Sequence, residues 1–296
     1  MRILLLGTTG QVGWELRRAL QPLGEVVALA RAQADFDDPE SLRACFACEP
    51  DVVINAVAYT AVDQAETDEE RAKRINTQAV GILADEAKRH GSLLVHYSTD
   101  YVFDGSGSGA YREDADPAPQ SAYGRSKLAG ETAIAASGCD HLVLRTSWVF
   151  ASRGKNFVRT ILRLAGERDT LRIVADQYGA PTSARLIADC TARIVAQAMR
   201  ERQAGPFASG VFHLTASGRT SWHGLATRIV DRARALGMNP LKVVAVDAIA
   251  STEYPVPAKR PMNSSLDTTQ VRERFGLHLP DWTVGVDLCL EELLAP

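Results

Sequence analysis

The first half of the chain alternates short apolar runs with longer segments in which apolar residues recur every three or four positions. Short apolar runs between polar residues are typical of buried strands, and the longer period is typical of amphipathic helices. This pattern predicts strands at residues 2–6, 25–30, 51–56, 93–98 and 141–146. It predicts helices at residues 11–20, 39–49, 68–90 and 123–137.

Strands separated by helices indicate the α/β class, a doubly wound parallel sheet with right-handed crossovers, or Rossmann fold. After about residue 150 the pattern is less regular, with helices predicted at 156–167, 183–202, 221–236 and 283–294, and strands at 171–174, 211–214 and 243–246. We therefore predict a dinucleotide-binding domain over residues 1–150. Residues 151–296 are predicted to form a smaller, mainly substrate-binding part on the carboxyl edge of the sheet.

Residues 104–121 interrupt the alternation with repeated glycine, serine and proline, which is loop chemistry. The segment lies between two candidate catalytic regions. Two interpretations stay open: a flap over the active-site cleft, and a solvated surface loop.

The overall composition is that of an ordinary globular protein, with 46% hydrophobic and 23% charged residues and a formal net charge of -3. This charge balance does not favour nucleic-acid binding, and no apolar run is long enough to cross a membrane. The apolar residues 3–6 end at Gly7, as a strand would and a signal peptide would not. Five scattered cysteines, including a Cys45/Cys48 pair without a second pair, favour a reducing cytoplasm and no metal site.

Three glycines, Gly7, Gly10 and Gly13, lie at the end of the first strand, in the turn and at the start of the first helix. Glycine there lets the backbone approach a pyrophosphate, and the free N–H groups of the helix N-terminus face the anion. The spacing of these glycines is G-x-x-G-x-x-G and not the usual G-x-G-x-x-G fingerprint. The prediction of dinucleotide binding therefore depends on their position between a strand and a helix.

Cofactor choice is predicted from the residue that follows the second strand. An acid often binds the adenosine ribose there, whereas this chain has Arg31, which can bind the 2′-phosphate of NADPH. Asp35 or Asp37 is an alternative partner for the ribose, and Asp35-Phe36 is predicted to reach the adenine. The cofactor is thus NADPH or NADH, with NADPH favoured.

Tyr123 and Lys127 are four residues apart on one predicted helix, so they share a face. An ammonium group near a phenol lowers its pKa, which makes the pair a candidate acid/base. Thr99 ends a strand and is predicted to hold a substrate carbonyl oxygen beside Tyr123. His96, in the same strand, is interpreted as a core histidine.

These features resemble the extended short-chain dehydrogenase/reductase superfamily, and within it the dTDP-4-dehydrorhamnose reductase family, over essentially the whole chain. The narrower resemblance rests on Ser98–Gly105, Arg145–Val149, Asn156-Phe157, Asp176–Thr182 and Arg260-Pro261. It implies reduction of the 4-keto group of dTDP-4-dehydro-β-L-rhamnose by NAD(P)H. That reaction is the last step of dTDP-L-rhamnose synthesis.

The resemblance also implies roles for individual residues. It implies an acid/base role for Tyr123 modulated by Lys127, with Thr99 as the third catalytic residue. The cofactor contacts implied or predicted are Gly7, Gly10, Gln11, Val12, Gly13, Arg31, Asp35, Phe36, Ala58, Tyr59, Thr60, Tyr123 and Lys127. The substrate contacts are Thr99, Asp100, Tyr101, Trp148, Asn156 and Arg260.

Two residues of this chain depart from the family pattern. Arg31 stands where an acid is often found, and Arg185 stands where relatives with a metal-bridged dimer carry a glutamate beside Glu15. We therefore predict no metal and a possible homodimer.

Two competing functions are disfavoured by the sequence. A dehydratase or epimerase is disfavoured because Tyr101 replaces the glutamate used to eliminate water. A non-catalytic NADP-binding subunit is disfavoured by the intact Thr99, Tyr123 and Lys127.

Overall fold

The computed structural model describes residues 1–238 and 240–294, so Asn239, Ala295 and Pro296 of the predicted second part lie outside the described residues. Its strands are β1 Arg2–Leu6, β2 Glu25–Leu29, β3 Val52–Asn55, β4 Leu93–Thr99, β5 His141–Thr146, β6 Val149–Phe150, β7 Thr170–Val174, β8 Tyr178–Gly179, β9 Thr182–Ser183, β10 Gly210–His213, β11 Thr220–Ser221 and β12 Ala245–Ile249. Its helices are α1 Gln11–Ala19, α2 Pro39–Ala44, α3 Val62–Ala65, α4 Glu69–Lys73, α5 Ala79–His90, α6 Ala122–Ser137, α7 Phe157–Glu167, α8 Ala184–Ala204, α9 Trp222–Ala235, α10 Thr269–Phe275 and α11 Trp282–Leu294.

Six parallel strands form the central sheet in the order β10-β5-β4-β3-β1-β2. The chain leaves β1 toward β2 on one side and returns to place β3 on the other side of β1. Ligands of open α/β sheets bind at such a reversal, beyond the carboxyl ends of the strands. The predicted doubly wound α/β fold is confirmed, and the reversal lies between the loops that follow β1 and β3.

The sheet is covered on both faces, which explains why its strands are continuously apolar. Side chains alternate between the faces of a strand, so a strand buried on both sides has no polar positions to spare. In β1, Ile3 and Leu5 join the cluster packed under α1 and α8, whereas Leu4 and Leu6 join the cluster packed under α5. The first strand therefore contributes side chains to two apolar clusters, one on each face of the sheet.

A third apolar cluster belongs to the second half of the chain. It packs α7, α9 and α11 around the two-stranded β7–β12 sheet, with Ile161, Leu225, Ile229 and Leu290 among its buried members. The same half also completes the central sheet, because β10 pairs with β5 and α8 packs against α1. The central sheet thus draws on residues beyond 150.

The structure differs from three of the predicted elements. Residues 68–90 form a helical run that passes through a π-helical turn, Arg74–Gln78, between α4 and α5. The strand predicted at 243–246 is shifted to Ala245–Ile249, because the N–H groups of Val243 and Val244 donate instead to carbonyls before β7. The predicted helix at 39–49 is α2 followed by a 3-10 turn, Cys45–Cys48. Several short elements, including α3, α10 and β8, carried no sequence signal.

The loop at residues 104–121 is tied to the segment around residue 263. Asn263 Nδ2 donates to the carbonyls of Gly107 and Gly109 at 2.9 and 2.7 Å, and the Tyr111 hydroxyl donates to Asp104 at 2.7 Å. The loop residues are mostly exposed. Among the described residues, these contacts favour the surface-loop interpretation over the flap.

No helix in residues 1–238 and 240–294 is both long and apolar enough to span a membrane.

Candidate active site

The glycine turn after β1 has the backbone geometry that the sequence predicted. Gly7 has a φ of +87°, a conformation that L side chains rarely adopt, and a Cβ on Gly13 would overlap the Gly7 carbonyl oxygen. Gly10 is the N-cap of α1 and no side chain caps that end of the helix. The turn therefore offers uncapped backbone N–H groups to an anion, which fits the pyrophosphate of a dinucleotide.

A cleft of about 440 Å³ opens beside this turn and contains most of the predicted cofactor residues. Its walls include the predicted Gly7, Gly10, Arg31, Asp35, Phe36, Ala58, Tyr59 and Thr60, and also Thr9, Gln64 and Arg71, which the sequence reasoning missed. Val12 instead packs against the core, and Gln11 accepts a hydrogen bond from Asn156 at 2.9 Å. The cofactor contacts of these two residues stay predictions.

Arg31 lies at the rim of this cleft among carboxylates. Its guanidinium is 3.1 Å from Asp37 and 3.8 Å from Asp35, and its side chain is 68% exposed. A second arginine, Arg71, lines the same cleft. The cleft thus holds cations suited to a 2′-phosphate beside an acid suited to a ribose.

The π-helical turn between α4 and α5 positions the cofactor-facing loop after β3. The turn directs Asn76, which is 1% exposed, so that its side chain accepts from Tyr59 N–H at 2.9 Å and donates to Tyr59 C=O at 3.1 Å. Asn76 also donates to Ser126 Oγ at 3.0 Å. One side chain therefore clamps the cofactor-facing loop to α6. No local sequence signal singled out Asn76.

Thr99 and Tyr123 meet at the carboxyl end of β4. Thr99 is the last residue of β4 and Tyr123 is the second residue of α6, and both are nearly buried. The hydroxyl of Thr99 lies close to that of Tyr123, where it lowers the pKa of the phenol, and it donates to Asp100 Oδ1 at 2.9 Å. The Tyr101 ring contacts Tyr123 edge-on at a centroid distance of 5.5 Å. The structure thus brings two predicted catalytic hydroxyls and two predicted substrate residues together.

Lys127 is not hydrogen-bonded to Tyr123 in this arrangement, and its predicted effect on the pKa of the tyrosine stays a prediction. Burial raises the pKa of Tyr123 above its ordinary value, and Asp100 adds to the increase. Lys127 Nζ lies instead 2.6 Å from Tyr97 C=O and 2.9 Å from His96 Nε2. Burial lowers the pKa of Lys127 to about 8, against the opposing effect of Glu131. Tyr123 is therefore held as a phenol, the form that gives a proton.

Asp100 is a buried carboxyl group, and burial raises its pKa to about 6 despite hydrogen bonds from Ser264 and Thr99. A raised acid pKa means that the folded chain binds this proton more tightly than the unfolded chain. Its contribution to stability is therefore present at low pH and is lost as the pH rises toward and through 6.

We expect Asp100→Asn to stabilise the protein at pH 7, by about 2 kcal/mol, because the variant buries no charge. The gain over wild type should shrink toward zero near pH 4, where the wild-type carboxyl is protonated. Urea unfolding at the two pH values measures both quantities. An equal gain in stability at the two pH values would mean that the charge of the Asp100 carboxyl is not its cause.

Trp148 is held in an unusual conformation by its neighbours. Its φ is +48°, its ring stacks on Trp222 at a centroid distance of 3.6 Å, and Gly179 packs so closely that a Cβ there would touch the indole. A residue held in the left-handed region is strained and is a pointer to function. Trp222 was missed by the sequence reasoning, and one face of the Trp148 ring is already covered by it.

A second cleft of about 310 Å³ lies in the second half of the chain. Arg260 lines it and pairs with Asp63 at 3.0 Å, while its buried Nε has no partner among the described residues. Aromatic and cationic side chains share the cleft, including Phe157, Trp222, Tyr254, Arg168 and Arg172. This chemistry suits a planar base and a diphosphate.

Asn156 has a structural role in this arrangement. It is the N-cap of α7, where its Oδ1 accepts from Arg159 N–H at 3.1 Å. Its Nδ2 contacts Ala151 C=O at 2.8 Å and Gln11 Oε1 at 2.9 Å. The side chain therefore joins the two halves of the chain, and its predicted contact with substrate stays a prediction.

Arg185, in the first turn of α8, lies between two carboxylates. Its guanidinium lies 3.4 Å from Glu15 and 2.9 Å from Glu292. No group of three or more potential metal-binding side chains occurs in the described part of the chain. The positive charge next to Glu15 is thus supplied by the chain itself.

Comparisons with known proteins agree with this geometry. The family model for the RmlD substrate binding domain matches residues 1–295. The dTDP-4-dehydrorhamnose reductase of Burkholderia thailandensis is 57% identical over 297 residues, with 100% of both chains covered. The protein of the same name from Escherichia coli K12 is 46% identical over 298 residues, with 99% of this chain and 98% of the relative covered.

Solved structures give the same picture. The dTDP-4-dehydrorhamnose reductase of Bacillus anthracis, in complex with NADP, is 30% identical with a TM-score of 0.88, covering 98% of this chain and 99% of that one. The UDP-glucose 4-epimerase of Thermus thermophilus, in complex with NAD, has a TM-score of 0.78 at 17% identity, covering 100% and 99%. The epimerase likeness shows the shared fold alone.

Proposed function

Because the chain belongs to the RmlD substrate binding domain family, we infer that it is an NAD(P)H-dependent dTDP-4-dehydrorhamnose reductase. It reduces the 4-keto group of dTDP-4-dehydro-β-L-rhamnose to the alcohol, the last step of dTDP-L-rhamnose synthesis. The observation that carries this reading is that Thr99 and a protonated Tyr123 lie together at the carboxyl edge of the sheet, the edge from which the glycine turn also extends. The competing epimerase reading has only the fold in its support.

The site residues proposed for the reaction have separate roles. A bound nicotinamide cofactor supplies the hydride that reaches the carbonyl carbon. Tyr123 gives its hydroxyl proton to the carbonyl oxygen, so the C=O bond becomes a C–H and an O–H bond. When substrate is bound, Thr99 turns its single hydroxyl hydrogen from Asp100 Oδ1 to this oxygen and orients it. Tyr101 takes the position next to Thr99 and Asp100, and its phenol is kept protonated by burial. The side chain of residue 101 is therefore a phenol and not the carboxylate that removal of water would use.

The reaction type is tested by its stoichiometry. Purified protein is incubated with dTDP-4-dehydro-L-rhamnose and an equal amount of NADPH, and the absorbance of NADPH is followed together with the product mass. We expect a product two hydrogens heavier and an equal loss of NADPH. A product formed without net consumption of NADPH would replace the reductase with an epimerase or a dehydratase.

The second cleft is proposed as the nucleotide-binding part of the substrate site. Arg260, with its unpartnered Nε, is a candidate for the diphosphate, and the aromatic wall is a candidate for the base. Lys259 donates to Gln120 Oε1 at 3.1 Å on the surface, so we propose that it lies at the edge of this nucleotide-binding site. This division assigns substrate binding mainly to residues 151–296 and cofactor binding to 1–150.

Arg31→Asp is expected to move cofactor preference from NADPH toward NADH. The variant removes a cation from the cleft and adds a third carboxylate beside Asp35 and Asp37, which should weaken NADPH about tenfold or more through the lost charge-assisted hydrogen bonds. The ratio of kcat/KM for the two cofactors measures this shift. Arg43→Asp, at an arginine that pairs with Glu40 away from the cleft, is the matched control. An unchanged ratio in the Arg31 variant would make Arg31 an ordinary surface charge.

We further propose a cytoplasmic location and a homodimer. The five cysteines are all unpaired, which suits a reducing compartment. The face around Arg185 combines a groove lined by Trp282, Val284 and Leu288 with the Glu15–Arg185–Glu292 cluster. Apolar side chains in a groove are suited to an interface between two copies.

A homodimer of this protein is expected to persist without divalent metal. Arg185 pairs with both Glu15 and Glu292, and Arg18 lies 3.6 Å from Glu15, so these carboxylates are already engaged by cations and attract a bridging ion less than free carboxylates would. Sedimentation velocity with EDTA, and again with added magnesium, should give the same mass distribution. A dimer that dissociates in EDTA would show that other carboxylates hold a bridging ion.

A further inference from the structure

The one-turn helix α3 contacts three parts of the candidate site. Gln64 lines the cofactor cleft, and Ala65 is fully buried in the apolar cluster that also contains Tyr123. Asp63, the other polar residue of this helix, is hydrogen-bonded to residues of the second half of the chain. The helix therefore lies between the cofactor cleft, the candidate proton donor and the substrate side of the molecule.

Asp63 makes two hydrogen bonds to residues that are far away in sequence. Its Oδ1 accepts from the backbone N–H of Ala258 at 3.3 Å, and its Oδ2 accepts from Arg260 Nη2 at 3.0 Å. Ala258 is buried, and Arg260 lines the second cleft. One carboxylate thus holds both the main chain and the charged side chain of a wall of that cleft.

Residues 254–261, which we call the wall segment, have few other attachments. Three of these eight residues are prolines, which have no N–H group to donate. Among the described residues, the other hydrogen bonds of the wall segment join Tyr254 to the preceding turn and Lys259 to Gln120 on the surface. The position of this wall therefore depends mainly on Asp63.

The ion pair leaves part of the Arg260 guanidinium free. The guanidinium is planar and carries five N–H groups in fixed directions, so a partner that holds one of them also sets the direction of the others. The side chain of Arg260 is 30% exposed and faces the second cleft. Its N–H groups that do not face Asp63 are thus open to an anion in that cleft, such as a diphosphate.

The Asp63–Arg260 pair also lies near the reacting groups. Burial raises the pKa of the Tyr101 phenol, while Arg260 opposes this increase and Asp63 adds to it. Both charges therefore lie within electrostatic reach of Tyr101, whose ring contacts Tyr123 edge-on. A diphosphate bound by Arg260 would lie close to the place where the attached sugar is reduced.

We propose that Asp63 is a positioning residue: it holds Arg260 and the wall segment in place so that the guanidinium binds the diphosphate of the nucleotide sugar. This inference rests on the proposed function, because it takes the second cleft as the nucleotide-binding part of the substrate site. Asp63 acts on the diphosphate through Arg260 and does not bind it.

Two effects of Asp63 on the diphosphate oppose each other. Its carboxylate repels the anion, but the side chain is 40% exposed, and water and salt weaken interactions between exposed charges. Without the carboxylate, the long side chain of Arg260 regains its freedom and must be ordered again by the ligand. We expect the loss of order to outweigh the lost repulsion, so that Asp63→Asn weakens the binding of dTDP about tenfold. Repulsion alone predicts tighter binding, so the sign of the change separates the two effects.

The affinity is measured by isothermal titration calorimetry of the whole protein with dTDP, which cannot be reduced. Asparagine keeps the shape of aspartate and an oxygen for the Ala258 N–H group, and NADPH binding by the same sample shows that the variant is folded. Unchanged or tighter binding of dTDP by Asp63→Asn would overturn the proposal. A variant that loses NADPH and dTDP alike would show that Asp63 serves the fold, and would overturn it too.

Asp140→Asn is the matched control. Asp140 pairs with Arg202 at 2.8 Å and its side chain is 39% exposed, so the pair resembles that of Asp63 in distance and exposure. Neither residue lines the cofactor cleft or the second cleft. The affinity for dTDP should therefore stay at the wild-type value, and a loss as large as that of Asp63→Asn would overturn the proposal.

A double-mutant cycle tests whether Asp63 acts through Arg260. Arg260→Gln should weaken dTDP binding by at least about tenfold, because a charge-assisted partner of the diphosphate is lost. Adding Asp63→Asn to that variant should cause no further weakening, since the group that Asp63 positions is gone. Effects that multiply would mean that Asp63 acts independently of Arg260, which would overturn the proposal.

Steady-state kinetics separate this inference from the proposed function. Arg260 binds a part of the substrate that does not change during reduction, so Asp63→Asn should raise KM for the 4-keto sugar about tenfold and leave kcat almost unchanged. A disturbance of α3 against Tyr123 would lower kcat instead, and would overturn the positioning role. A wild type that binds dTDP with the expected dependence on Asp63 and Arg260 but does not reduce the 4-keto sugar would defeat the proposed function alone.

Discussion

Tyr123→Phe should lower kcat for the 4-keto sugar by about 10³-fold, because the variant removes the only hydroxyl we assign to proton donation. The phenylalanine ring keeps the edge-on contact with Tyr101, so the fold should be preserved. NADPH affinity should change little, since the glycine turn and the walls of the cleft are untouched. The measurement is steady-state turnover together with NADPH binding by fluorescence.

The matched control is Tyr111→Phe. Tyr111 donates to Asp104 in the loop at residues 104–121, outside the candidate site, so its loss should leave kcat near the wild-type value. If Tyr123→Phe retains most of its kcat, another group donates the proton. If it loses NADPH binding instead, Tyr123 serves the cofactor and not the substrate oxygen.

Thr99→Val is expected to lower kcat by about 10²-fold, the usual cost of one oriented donor at a reacting oxygen. Valine has nearly the shape of threonine, so the change isolates the hydroxyl. That hydroxyl donates to Asp100 Oδ1 at 2.9 Å and accepts from Tyr101 N–H at 3.2 Å. The free energy of unfolding should therefore also fall, by about 1 kcal/mol.

Thr99→Ser is the control that keeps the hydroxyl, and its kcat should remain within a few-fold of wild type. Comparing the two variants at equal folded fraction separates the loss of the donor from the loss of stability. Wild-type turnover in Thr99→Val would remove Thr99 from the reaction.

Lys127 lies on the same helix face as Tyr123, but its amine is hydrogen-bonded to other groups. Tyr123 and Lys127 share a face of α6, as the four-residue spacing predicted. The amine nevertheless reaches β4, where it meets Tyr97 C=O and His96. The hydrogen-bond partners of the amine thus depend on the packing of α6 against β4, which the spacing along the helix does not reveal.

The sequence by itself determined the order of strands and helices, the glycine turn and the shared helix of Tyr123 and Lys127. These features depend on patterns a few residues long, since apolar period and turn chemistry act within one element. The confirmed α/β fold and the family resemblance follow from the same local patterns. Residues such as Gly7, Gly13 and Thr99 could be found because each lies at the end of a predicted element.

Only the tertiary structure decided the partners of the side chains. Asn76 reaches the loop after β3 through a π-helical turn, Trp148 stacks on Trp222, and Arg185 pairs with Glu15 and Glu292. The contacts of Asn55 and Lys127 with His96 depend on β3 and β4 being neighbours in the sheet, with Asn55 opposite His96. Contacts between residues far apart in sequence follow from strand register and close packing, which local periodicity does not encode.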